Sequence, residues 1–156
     1  MKRLTSLAAA LLVTASTCVS ADSMTISPNA SHEVMMGSPD FFTGQVMVEM
    51  QFPANDTHTS SAGKVTFSPG ARSAWHTHPA GQYLIVTEGT GWVQEWGQEK
   101  QVIQPGDVVW TPPGVKHWHG ATDKTSMSHL ALTSQSEGKK GVEWLEQVSD
   151  EQYTGK

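Results

Sequence analysis

Cysteine is all but missing: Cys18 is the only one in 156 residues. It falls in a segment that reads as an export leader, so neither a disulfide framework nor a thiol for catalysis or metal binding is expected in the mature chain. Positive charge is scarce as well. Ten Lys and Arg stand against fifteen Asp and Glu, a formal net charge of −5, and no basic cluster interrupts that balance. Nucleic acid is therefore not an expected partner. Long apolar runs are missing apart from one near the start. There Met1-Lys2-Arg3 precedes the apolar stretch Leu7 to Val13, which passes through small residues to Val19-Ser20-Ala21. The stretch is too short to span a bilayer, and its charged start and small-residue end read as a secretory signal peptide over residues 1–21, cleaved after Ala21. Ala15-Ser16-Thr17 lacks the large aliphatic residue expected before a lipid-modified cysteine, so no lipid anchor is expected at Cys18. The mature protein is expected to be periplasmic or secreted.

A sustained 3.6-residue period is also missing, which argues against a helical protein. What is present instead is short alternation: Val46, Val48 and Met50; Val65 and Phe67; Leu84 and Val86; Trp92 and Gln94. Period two means strands. Turn signals separate them at Pro69-Gly70, Pro79-Ala80-Gly81, Glu88-Gly89, Gly97, Pro105-Gly106 and Pro112-Pro113-Gly114. The chain is thus expected to be a single all-β domain, a sandwich or barrel over residues 41–156, preceded by an extended arm at 22–40. One short helix is expected at the end, where Ser149 or Asp150 can cap Glu151 to Tyr153.

Two segments of similar turn-strand-His form carry the chemistry. In Trp75-His76-Thr77-His78-Pro79 the histidines are two apart, which on a strand points both imidazoles to one face. The turn at Pro79-Ala80-Gly81 starts a new strand at Gln82, bringing its amide back beside those rings. Farther on, Gly106 to Trp110 reads as a strand ended by Pro112-Pro113-Gly114, and the next strand presents His117 and His119 on one face, with Lys116 and Trp118 on the other. Three imidazoles and an amide oxygen from His76, His78, His117 and Gln82 suit one divalent first-row ion, and the donor set by itself accepts manganese, iron, nickel or zinc. The competing reading, that these histidines are hydrogen-bonded packing residues, is the usual fate of a lone histidine but suits the spaced set poorly.

Residues Gly70 to Gln82 and on to Gly91 resemble the first motif of the cupins, and Gly106 through Pro112, Gly114 and His117 resemble the second. Within the cupins the pattern is most similar to the small bacterial manganese-dependent hydroxynitrile lyases, the (R)-mandelonitrile lyase-like proteins, which place glutamine, here Gln82, where most cupins have glutamate. The similarity covers roughly Phe41 to Tyr153 and leaves out the leader. It implies a double-stranded β-helix, or jelly-roll barrel, making 41–156 a cupin domain, and association as a homodimer or homotetramer. It also implies a small-molecule substrate, an aromatic cyanohydrin such as mandelonitrile, split reversibly into aldehyde and hydrogen cyanide.

An all-neutral ligand set leaves the ion its full double charge, which favours Lewis-acid work over redox cycling. The resemblance assigns proton transfer to His129, on the expected strand Ser126 to Leu132, and a pocket-lining place to His119; packing or support of the ligands is the alternative for both. Other readings stay open: a dioxygenase, isomerase or decarboxylase-like cupin on a phenolic or carbonyl substrate, or a non-catalytic periplasmic binding module. Val65, Thr133 and Leu84 are expected to shape the pocket. His32 and His58 read as solvated surface residues, and Arg72 and Asp107 as turn residues. Trp75, Trp92, Trp96, Trp110 and Trp118 are expected to serve chiefly in packing, with Trp75 and Trp118 facing away from the metal toward core or a subunit contact.

Overall fold

The computed structural model describes residues 23–136 and 141–155. The expected signal peptide, with Cys18, lies outside the described residues. A 3-10 turn at Asn29–Ser31 precedes strands β1 (Val34–Met36), β2 (Phe42–Thr43), β3 (Val46–Phe52), β4 (Ser60–Phe67), β5 (Arg72–Ser73), β6 (His76–Thr77) and β7 (Gln82–Gly89). The chain continues through β8 (Gly91–Glu95), β9 (Gln101–Ile103), β10 (Val108–Thr111), β11 (His117–Ala121), β12 (Met127–Ser134), β13 (Glu143–Trp144) and the helix α1 (Asp150–Thr154). Among the described residues no helix is long and apolar enough to cross a membrane.

The strands form two antiparallel sheets. One runs β1-β3-β4-β12-β7-β10; the other contains β13-β6-β11-β5-β2, with β8 joined to β11 and β9 to β8. The arm does more than extend: its strand β1 pairs with β3 and closes one edge of the first sheet. Alternation decides which side chains enter the space between the sheets. On β7, Gln82, Leu84 and Val86 are buried while Tyr83 is exposed, the pattern of a sheet with one wet face. Val46, Val65, Phe67, Val86, Ile103 and Met127 build the inner core.

The strand β11 is buried on both faces. His117 and His119 point inward, whereas Trp118 packs with Trp75, Val148 and Tyr153 in a second cluster. The chain's own C-terminal tail covers those two indoles, so packing accounts for them. The helix α1 is fixed by Ser149, which accepts from the Gln152 amide while the Gln152 side chain bonds back to Ser149, a capping box that satisfies two otherwise orphaned N–H groups.

Arg72 corrects an expectation. Instead of a solvated turn residue it is a buried member of β5, donating to the Val148 carbonyl through Nε and Nη2 and pairing with Asp150 at 2.6 Å. It ties the tail to the barrel. Asp107 does stabilise its turn, accepting from the Gln104 amide at 2.7 Å. His58 is exposed as expected, but His32 is partly buried and bonds Glu49 at 3.1 Å.

Candidate metal centre

Strand pairing brings the two histidine pairs together. His117 on β11 stands directly opposite His76 on β6, and their ring centroids are 4.2 Å apart. His78 follows β6, its ring 5.1 Å from His76 and 5.8 Å from His117. Gln82 opens β7 after a tight turn at Gly81. There φ is +79°, and a Cβ would lie 2.3 Å from the Trp110 ring, so only glycine fits. The Gln82 Oε1 atom lies 3.1 Å from His117 Nε2.

The hydrogen bonds on the far side of each ring set its chemistry. His76 Nδ1 bonds the Ala74 carbonyl at 2.9 Å, His78 Nδ1 the Gly141 carbonyl at 2.6 Å, and His117 Nδ1 the Val115 carbonyl at 3.0 Å. A carbonyl only accepts, so each Nδ1 must carry the proton and each Nε2 is left with a lone pair. That is how proteins orient metal-ligating histidines. Burial keeps the rings uncharged. Desolvation holds the pKa of His76, His78 and His117 below the ordinary histidine value, that of His117 at about 4, so all three rings stay neutral.

Among the described residues the buried His78 Nε2 and His119 Nε2 find no hydrogen-bond partner. Orphaned buried ring nitrogens of this kind are costly unless something satisfies them. The residues present therefore fit a cation. His76, His117 and His119 offer donor atoms all within 4.8 Å of one another and could hold a metal ion. His119 thus competes with His78 for a place in the ligand set. The distinction lies in its other nitrogen, which faces no carbonyl.

His119 Nδ1 instead meets His129 Nε2 at 3.1 Å. One N–H is shared between two neutral rings, and either ring can hold it. Desolvation again comes first in lowering both values, with their mutual repulsion adding to it at His119; His129 falls to about 4. Phe67 packs against both rings.

A cavity of about 190 Å³ opens beside this cluster, with His76, His78, Gln82 and His119 as its polar side and Val65 and Ala131 on its apolar side. Thr133 lines it as expected; Leu84, though buried, does not. His129 is not on the wall, so contact with a ligand runs through His119. Trp144, which sequence reasoning passed over, closes another side, its ring 4.9 Å from His76.

The cupin-domain family model (Cupin_2) matches residues 63–133, the span that holds His76, His78, Gln82, His117, His119 and His129. An (R)-mandelonitrile lyase from Granulicella tundricola is 54% identical over 117 residues, covering 75% of this chain and 88% of the relative. The chain is a cupin.

Solved structures agree. A cupin-like protein from Thermotoga maritima superposes with a TM-score of 0.72 at 42% identity, over 77% of this cupin and 90% of that chain. A cupin 2 conserved barrel domain protein from Rhodopseudomonas palustris shares the fold at 17% identity and a TM-score of 0.58, over 74% of this cupin and 81% of that chain. Within the cupins this chain is mandelonitrile lyase-like, and the jelly-roll expectation holds.

Proposed function

We propose that this cupin is a metal-dependent carbon–carbon lyase that reversibly cleaves aromatic cyanohydrins such as mandelonitrile to aldehyde and hydrogen cyanide. The observation that carries the reading is its 54% identity to an (R)-mandelonitrile lyase across most of both chains. The geometry supplies suitable chemistry. We assign His76, His78, Gln82 and His117 to one divalent ion, manganese first. Three of them are rings whose Nδ1 a carbonyl has already committed, and Gln82 is the fourth through its contact with His117. Bound there, the ion supplies Lewis-acid stabilisation of negative charge on the substrate oxygen or departing cyanide.

The chain's own residues do the rest. Val65 and Ala131 receive the aromatic ring and exclude water. With the shared proton on its Nδ1, His119, neutral because it is buried, presents Nε2 to the cavity as a base for the hydroxyl proton. As the carbon–carbon bond breaks, its electron pair leaves on cyanide and the carbonyl forms. The His119 Nδ1–H can be passed to His129 Nε2, so the pair stores the proton until cyanide takes it up and leaves as hydrogen cyanide. We further propose that the leader directs the protein to the periplasm or medium, with cleavage after Ala21.

Elemental analysis paired with a mandelonitrile assay tests the reading. Manganese-loaded wild type releases benzaldehyde, Gln82→Ala loses metal and rate, and His129→Ala keeps its metal but slows by about 10²-fold or more, the usual range for a proton-transfer group. A loaded wild type that makes no benzaldehyde above buffer ends the lyase assignment. Oxygen uptake by an iron-loaded form would move it to the oxygenases.

A further inference from the structure

Trp144 sits on β13, a two-residue strand that pairs with β6, with Trp144 opposite His76 and Glu143 opposite Thr77. Two aromatic neighbours fix the indole: Phe41 stacks on it at 4.9 Å and 13°, and Phe42 meets it edge-on at 5.5 Å. Hydrogen bonds pin the segment on both sides: the Gly141 carbonyl accepts from the His78 ring at Nδ1, and the Leu145 amide donates to the Trp75 carbonyl at 2.8 Å.

What this wall separates is the informative point. Val142 and Trp144 line the inner cavity of about 190 Å³ and also an open outer groove of about 730 Å³ on the side of Thr77, Pro79 and Pro113. These two residues are common to both walls. Pockets for drug-sized ligands run to about 300–1,000 Å³, so the inner space alone suits a molecule with one ring.

We propose that Trp144, backed by Val142, is the residue that sets substrate size, restricting the cavity to single-ring aromatic substrates and offering its indole face to that ring. The inference rests on the cyanohydrin reading for the substrate's reactive group, but not for its size limit. Two consequences follow from the geometry. Truncating Trp144 removes a stacking surface from a one-ring ligand and joins the inner cavity to the outer groove, making room for a second ring.

The test uses manganese-loaded wild type, Trp144→Ala, Trp144→Phe and Val142→Ala, with metal content measured on each. Calorimetric titration with benzyl alcohol and naphthylmethanol, which cannot be cleaved, reads binding. Cleavage of mandelonitrile and of the naphthaldehyde cyanohydrin reads turnover. Wild type is expected to prefer the one-ring compounds by about tenfold or more, within the range a pocket contact discriminates. Trp144→Ala should reverse or abolish that preference, and Trp144→Phe and Val142→Ala should fall between. The milder pair decides the matter should Trp144→Ala not fold. A one-ring to two-ring ratio unchanged in every folded variant overturns the proposal, as does wild type binding neither compound. A ratio that shifts in binding while no protein cleaves either cyanohydrin leaves the size wall standing and removes the lyase reading.

Discussion

Gln82 sets the charge of the candidate centre. Its amide and the three imidazoles bring no negative charge, and each ring is held neutral by burial, which outweighs the opposing pull of the carbonyl that fixes its Nδ1–H tautomer. Gln82→Glu tests what that neutrality does, because it changes one atom's charge and little else. A carboxylate placed beside His117 Nε2 adds a stronger ligand and offsets half the charge of a divalent ion. Metal affinity should rise and mandelonitrile cleavage fall, by about tenfold or more if charge stabilisation dominates the barrier. Competition with a chromogenic chelator and kcat/KM on the loaded protein check the two arms. Equal rates in the two proteins would mean that the neutral amide has no electrostatic purpose.

The candidate ligands are legible in the sequence because their geometry is local. Two residues apart on a strand means one face, and the turns after His78 and before His117 mark where each strand begins or ends. The His119–His129 contact was not legible, since it depends on two strands of different sheets meeting across the interior. Trp144 escaped for a similar reason: its segment has no period, and only the long-range pairing of Trp144 with His76 gives it a role.

Among the elements, the C-terminal tail depends most on contacts that span the sequence. It lays Val148 and Tyr153 over Trp75 and Trp118, bonds the Tyr153 hydroxyl to the Ala121 carbonyl at 3.0 Å, and receives Arg72 at the Val148 carbonyl and at Asp150. The sequence revealed the helix through Ser149, since a cap is a local signal. It did not reveal the role of Arg72, whose partner Asp150 is 78 residues away.

Two substitutions separate the cap from the clamp. Ser149→Ala removes the capping hydroxyl and should cost about 1 kcal/mol. Arg72→Met keeps most of the volume but leaves the buried Val148 carbonyl without its donors, an expected loss of roughly 1–3 kcal/mol. Urea unfolding measures both. An Arg72→Met protein as stable as wild type would show that the guanidinium adds nothing beyond packing. Gly120 on β11 pairs directly with Arg72 on β5. A Cβ there would come within 2.5 Å of the Ala71 carbonyl oxygen, so Gly120→Ala should destabilise by about 1–3 kcal/mol through a forced strand shift.

For the whole molecule, the buried histidines make stability depend on pH in a direction that can be worked out. In the metal-stripped protein His117 and His129 titrate at about 4, and His76, His78 and His119 are also held below the ordinary value, all chiefly by desolvation. In the unfolded chain the same rings take up protons near the usual value of about 6.5. Between those limits the unfolded state binds more protons, so acid favours unfolding there, and the loss is complete once the pH falls below the folded values. The exposed carboxylates act elsewhere. Glu49, lowered by its bond to His32, and Glu146, lowered by Lys116, titrate below the ordinary carboxylate range, beneath most of the histidine window. The expected outcome is a metal-free protein that loses on the order of several kcal/mol between about pH 7 and pH 4.5, since each unit of pKa shift is worth about 1.4 kcal/mol. Manganese should move the loss to lower pH, because the ion and the proton compete for the same Nε2 lone pairs. Denaturant melts of stripped and loaded protein across that range provide the measurement. If the stripped protein is as stable at about pH 5 as at pH 7, the rings are not held neutral by burial, and the account of His119 as a ready base fails with them.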